Sequence, residues 1–366
     1  MSLQQEIDFR TSKIYRDAYQ MSIGELLNLY QDGEIDIHPE FQRVFRWTGY
    51  QKTRLIESIM LNIPIPPVFV SQREDGVWDV IDGVQRLSTI FEFVGILKNE
   101  KDEVMTPTVL QATDYLPSFQ GMMWAGDRRE YSFTTEQKIN FKRSRIDVII
   151  VKKESDDKTK YELFQRLNTG GSRLSSQEVR NCLMIMTNRD LYEFIRELDG
   201  CDAFQTCVPV SDRKSDEQFR LELIVRLLVA VFCDIADKSR SMDLSALLDE
   251  ETLKLCSMSL DYCDIKRNFF RTFELLRNIE GENIFKKRSY NGGYRGGFLS
   301  AAYQGIAVGV FSHICSMERE ENEHWIKEKI DQFYLSEEFT KMLAQGVRPV
   351  QRFIELSRYG QTLFKS

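Results

Sequence analysis

Histidine is scarce in this chain of 366 residues, with three in all, so a catalytic imidazole relay or a histidine-rich metal centre has little to be built from. The seven cysteines are odd in number and none falls in a C-x-x-C pair, which excludes a closed disulfide framework and the usual zinc spacings. Positive charge is not in excess. A net charge of −7 and a pI near 5.4 exclude a surface that coats nucleic acid all over, while leaving room for a local basic patch. Long apolar runs are missing too: the longest, Leu221 to Phe232, is interrupted by Glu222 and Arg226 and is too short to span a bilayer. Gln4, Gln5, Glu6, Asp8 and Arg10 stand where a leader would need its apolar region, so a cytoplasmic protein without a membrane is the expectation.

What is present is the composition of a folded protein, 42% hydrophobic and 29% charged with only eight prolines. The length exceeds one ordinary domain and the periodicity changes midway. Residues 1–185 mix strand and helix signals, whereas 186–366 carry successive amphipathic helical runs without convincing strands. An α+β unit with a small mixed sheet, followed by an all-helical unit, is therefore expected.

One stretch organises the first part, Val80-Ile81-Asp82-Gly83-Val84-Gln85-Arg86-Leu87-Ser88-Thr89-Ile90. A strand from Val77 to Ile81 runs into a helix whose Leu87, Ile90, Phe91 and Val94 recur at helical spacing. Such a junction offers backbone N–H groups and the positive end of the helix dipole, a plausible seat for phosphate. Upstream, Ser22 with Glu25 and Thr48 with Gln51 are helix-start signatures, and Pro64, Pro66 and Pro67 force an extended segment into a hairpin with an Asp75-Gly76 turn. Downstream, Arg145 to Val151 reads as a strand, and Ser175 with Glu178 opens another helix. Residues 97–142 carry no firm assignment.

Two readings of Asp82 and Arg86 stand side by side. Four residues apart on a helix, they can be an N-cap aspartate and an intrahelical ion pair and nothing more. Alternatively Arg86 and the helix-start amides hold phosphate while Asp82 meets a ribose hydroxyl or a Mg²⁺ ion that bridges phosphates. Gln42, Arg43 and Arg46 alternate with Phe41, Phe45 and Trp47, as a solvated edge or as a second phosphate contact. Arg166, Asn168 and Arg180 surround Gly170-Gly171, most simply a turn between helices. Lys286, Lys287, Arg288 and Arg295 flank a glycine-rich loop, which is flexible surface or a nucleic-acid contact.

Taken together, Phe41-Gln42-Arg43 through Trp47, Pro64-Ile65-Pro66, Ile81-Asp82-Gly83-Val84-Gln85-Arg86-Leu87, and Phe164 to Gly171 followed by Leu174-Ser175 and Glu178-Val179-Arg180 resemble a known family. It is the DGQQR-motif group (domain of unknown function 262), related to partition protein B (ParB) and sulfiredoxin, the N-terminal module of GmrSD-type restriction enzymes. Val84 stands where that family often has glutamine. The resemblance implies a ParB/sulfiredoxin-like N-terminal domain and the binding or hydrolysis of a nucleoside triphosphate (ATP, GTP or CTP) with Mg²⁺. It implies a role in prokaryotic anti-phage or restriction-type defence. Asp82, Gln85 and Arg86 become the catalytic motif residues, with Asp82 as metal ligand. Gln42, Arg43, Arg46, Gly83, Ser88, Thr89, Arg166 and Asn168 become the nucleotide-binding set.

His313 and His324 form no HNH-type cluster, so a separate nuclease or effector chain is the expected partner, alongside nucleotide, DNA and further copies of the chain. The alternatives are a non-enzymatic DNA-binding or regulatory protein using Lys286, Lys287, Arg288 and Arg295, and a ParB-like metal-dependent DNA nickase.

Overall fold

The computed structural model of the chain describes residues 2–4, 16–37, 47–99, 101–126, 128–152, 175–211, 214, 218–288, 293–316 and 322–365. It divides into two compact units, residues 1–173 and 174–366. The boundary expected at 185/186 falls inside a helix of the second unit, Ser176–Thr187.

The first unit is α+β. Its described strands are β1 (Arg16–Ser22), β2 (Ile35–Asp36), β3 (Val68–Gln72), β4 (Trp78–Asp82) and β5 (Arg145–Val151), and its helices are α1 (Ile23–Gln31), α2 (Gly49–Met60), α3 (Val84–Val94) and α4 (Thr135–Arg143). The strands form one mixed sheet in the order β1-β5-β3-β4-β2. β1 pairs antiparallel to β5 and β3 antiparallel to β4, whereas β3 with β5 and β2 with β4 run parallel.

The sequence pattern accounts for the central strands. In β5, Ile146, Val148 and Ile150 are buried while Arg145 and Asp147 point out, the period of two of a half-buried strand. The same core takes Val68, Val70 and Val80 from the hairpin, Leu26 and Leu27 from α1, Leu55, Ile56 and Ile59 from α2, and Leu87, Ile90 and Phe91 from α3. Capping boxes start α2 at Thr48 and α4 at Thr134, each hydroxyl accepting from the backbone N–H three residues on while that residue's side chain accepts from the cap. Buried charges here are paired: Lys52 donates to Glu92 at 2.6 Å, and Thr108 donates to the same carboxylate at 2.8 Å.

At the sheet edge Arg73, next to the Asp75-Gly76 hairpin turn, is held between Asp36 of β2 and the buried Asp79 of β4. Burial alone would lower the pKa of this guanidinium, but the hydrogen bonds and charges of Asp79 and Asp36 outweigh it and raise it.

The second unit is mostly helical: α5 (Ser176–Thr187), α6 (Arg189–Asp199), α7 (Asp202–Cys207), α8 (Phe219–Phe232), α9 (Leu244–Ser257), α10 (Tyr262–Glu280), α11 (Ser300–His313), α12 (Asn322–Leu335), α13 (Glu337–Met342) and α14 (Pro349–Leu363). The expectation of an all-helical unit is corrected at one place, where Lys287–Arg288 (β6) and Tyr294–Arg295 (β7) pair as a two-stranded ribbon. Backbone pairing beside the glycine-rich loop supplies that ribbon; hydrophobic periodicity does not.

Two features hold this unit. Gly305 and Gly309 of α11 meet Gly360 of α14 so closely that a Cβ on Gly360 would run into the carbonyl of Gly305. In the same unit Arg180 is fully buried at the centre of a polar network. Its Nε donates to Gln177 at 2.9 Å, Nη1 to Ser245 and Asp249 at 3.0 Å each, and Nη2 to Glu222 at 2.7 Å. Glu222 in turn pairs with Arg226. Four of the cysteines are buried in this unit, and burial pushes the thiols of Cys207 and Cys233 up to about 12, which keeps them protonated and unreactive.

Removing Arg180 deletes the buried cation that Asp249 and Glu222 both pair with, while Glu222 keeps Arg226. Arg180→Met is therefore expected to lower the unfolding free energy by about 3–5 kcal/mol, read from urea denaturation. Gly360→Ala should cost about 1–3 kcal/mol through overpacking alone, and unchanged unfolding in that variant would contradict the packing described.

Candidate functional site

The sequence motif sits where β4 ends. Asp82 is the last residue of β4, still paired with Phe69 of β3, and Gly83 turns the chain directly into α3. Gly83 has φ of +98°, a left-handed conformation that side chains other than glycine resist. Space makes the same demand, since a Cβ here would lie 2.9 Å from Val68 Cγ2 and 3.2 Å from Arg86 Nη2.

Because Gly83 is the N-cap, the reading of Asp82 as an N-cap aspartate is corrected: the helix starts with no side-chain cap. The carboxylate of Asp82 is drawn instead to Arg86, whose Nη2 donates to Oδ2 at 2.6 Å. The other arm of the guanidinium, Nη1, donates to the carbonyl of Pro66 at 2.7 Å, just before β3 begins. One arginine thus ties the strand end, the helix start and the proline turn together. Its side chain is 12% exposed and that of Asp82 36%, so the pair lies at the rim of the unit with the acid facing outward.

The remaining motif residues point to different surroundings. Gln85 is half-buried on the first turn of α3. Ser88 and Thr89 are buried, the Thr89 hydroxyl donating to the carbonyl of Gln85 at 2.6 Å and the Ser88 hydroxyl having no hydrogen-bond partner among the described residues. Gln42, Arg43, Arg46, Arg166 and Asn168 lie outside the described residues.

In the second unit, Lys286 donates to Glu282 at 3.1 Å and Asn283 at 2.9 Å, and Arg288 to Glu280 at 2.9 Å while also pairing with Asp331. Lys287 and Arg295 are exposed. Pro66 was placed by sequence only as a chain break; its carbonyl as the anchor of Arg86 was not foreseen, although the proline turn and the arginine belong to the same set of motifs.

Electrostatically the turn is a neutral pair beside an uncapped helix start. A dianionic or trianionic ligand there would gain the helix-start amides and the guanidinium and would meet the repulsion of Asp82. A magnesium ion that brings its own phosphate and water ligands needs only one protein carboxylate, and the outward-facing Asp82 suits that role. Among the described residues no group of three or more His, Cys, Asp or Glu side chains could hold a metal ion, so a cation cage made by the protein itself is not found there. Likewise, no described helix is long and apolar enough to cross a membrane.

Fold and turn define a class: an α+β module with a strand–glycine–helix corner, locked by an arginine that reaches a proline turn. Residues 23–185 match the family described as GmrSD restriction endonuclease, N-terminal domain. The match spans β2 to β5 and the corner, and it shows the resemblance read from the motifs. No curated protein and no solved structure matches the chain significantly.

The corner yields its own prediction. Gly83→Ala is expected to lose about 1–3 kcal/mol of stability from backbone strain, and Arg86→Gln a similar amount by orphaning the Pro66 carbonyl. Thermal melting checks both, and a variant of either kind that melts like the parent would contradict the geometry.

Proposed function

We propose that the first unit is a nucleotide-binding and NTP-hydrolysing module of a prokaryotic restriction-type defence system, with a ParB/sulfiredoxin-like fold. The observation that carries the reading is the family match over the segment that contains the Asp82-Gly83-Arg86 corner. A restriction-type role calls for DNA cutting, and a separate nuclease or effector chain is the partner this reading proposes for it.

The chemistry follows from the corner. The first-turn amides of α3, beginning after Gly83, offer donors to a phosphate, and Arg86 lies four residues from Asp82 with two arms already oriented. Bound phosphate competes with Asp82 for the guanidinium, and the freed carboxylate then faces the same ligand. Magnesium, when bound with the nucleotide, supplies charge neutralisation on the phosphate oxygens. Arg86 and the helix-start amides do the orienting, and fixed donors of this kind stabilise charge as it develops in phosphoryl transfer. Gln85, half-buried on the same turn, is the residue this reading assigns to positioning water.

Thermal melting of the full chain with ATP, GTP or CTP and Mg²⁺ tests the reading. A ligand at a hundredfold excess over its Kd should stabilise the protein by about 2.7 kcal/mol, and Asp82→Ala with Arg86→Ala should abolish the shift for the nucleotide that gives it. No shift and no phosphate release with any of the three would overturn the proposal, as would a shift that survives in the double variant.

A further inference from the structure

The basic ribbon of the second unit divides its charges between two faces. In an antiparallel pair, directly opposite residues share a face and successive residues alternate. Arg288 lies opposite Tyr294, and Lys287 opposite Arg295. On the first face Arg288 turns inward, bonding Glu280 and Asp331 and standing 4.7 Å over the ring of Tyr334, while Tyr294 opposite it is exposed. Tyr334 is itself fixed by donating to the carbonyl of Ile284 at 2.8 Å. Burial, then the charge and hydrogen bond of Glu280, raise the pKa of the Tyr294 phenol, as expected for a group turned toward that acid.

The second pair is bare. Lys287 and Arg295 are exposed, and neither has an ion-pair partner among the described residues. Two like charges directly across a ribbon destabilise it, so the fold gains nothing from placing them there. The neighbouring cations differ, because Lys286 and Arg288 are already satisfied by acids of the same unit. Around the bare pair Gly293, Gly296 and Gly297 have nothing within 4 Å of where a Cβ would stand. A partner's backbone can therefore approach the ribbon closely.

We propose that this face of the ribbon docks on the phosphodiester backbone of nucleic acid through Lys287 and Arg295. Paired cations flanked by glycine suit a regularly spaced polyanion, and contacts of this kind position a protein without reading sequence. The proposal does not depend on nucleotide binding at Asp82 and Arg86, and its test is separate from that one.

Fluorescence anisotropy of the full chain with a labelled DNA duplex over a potassium chloride series gives the answer. Lys287→Gln with Arg295→Gln should reduce the slope of log affinity against log salt by about two, at about 0.9 per lost phosphate contact. Lys286→Gln, whose cation is held by Glu282, should leave the slope as it was. The double variant should melt no lower than the parent, which separates a lost contact from lost folding. An unchanged slope in the double variant overturns the proposal. So does a parent chain that binds no duplex, or binding of polyglutamate or of anionic vesicles that the double substitution removes while duplex binding survives.

Discussion

The candidate site depends on one guanidinium. Arg86 spans the carboxylate of Asp82 and the carbonyl of Pro66, and so fixes three pieces of chain that the sheet alone would leave adjustable. Gly83 makes the arrangement possible, because only a residue without Cβ fits beneath Val68 at that backbone angle. An ion pair at a half-exposed rim contributes little by itself. Combined with a bond to a backbone carbonyl it becomes a positional constraint, and it is the constraint that gives a phosphate-ready helix start a defined shape.

The same physics recurs in the second unit with the opposite emphasis. Arg180 is also an arginine within the motif-bearing segment, yet it has no surface at all and every arm of its guanidinium is spent on side chains of its own unit. Rim position and an outward-facing acid distinguish Arg86 as a candidate ligand contact; full burial marks Arg180 as a strut. The ribbon repeats the contrast over two residues, where Arg288 holds the ribbon to the helices while Lys287 and Arg295 are exposed with no ion pair among the described residues.

Much of this was legible in the sequence wherever the signal is local. The capping boxes at Thr48 and Ser175, the hairpin of β3 and β4, the strand β5 and the long helices of the second unit follow from turn chemistry and periodicity. What was missed is held by distant partners. β1 buries only Met21 of its seven residues, so no alternation reveals it, and it exists because β5 offers an edge to pair with. α4 buries only Phe141, leaving the Thr134 capping box as its single sequence signal. Arg180 reads as a turn cation because its partners stand 42, 65 and 69 residues away. The ion pair of Asp82 and Arg86 was visible from its spacing, whereas its anchoring to Pro66, 20 residues upstream, was not.

The central claim is that Arg86 exchanges a structural partner for a ligand phosphate at the start of α3. Nitrogen-15 NMR of the arginine side chains in the full chain, titrated with nucleoside triphosphate and Mg²⁺, tests it most directly. The account predicts that the Arg86 Nε–H resonance and the amides of Val84 and Gln85 move together and saturate together. A saturating ligand that leaves these resonances in place while moving others would contradict it.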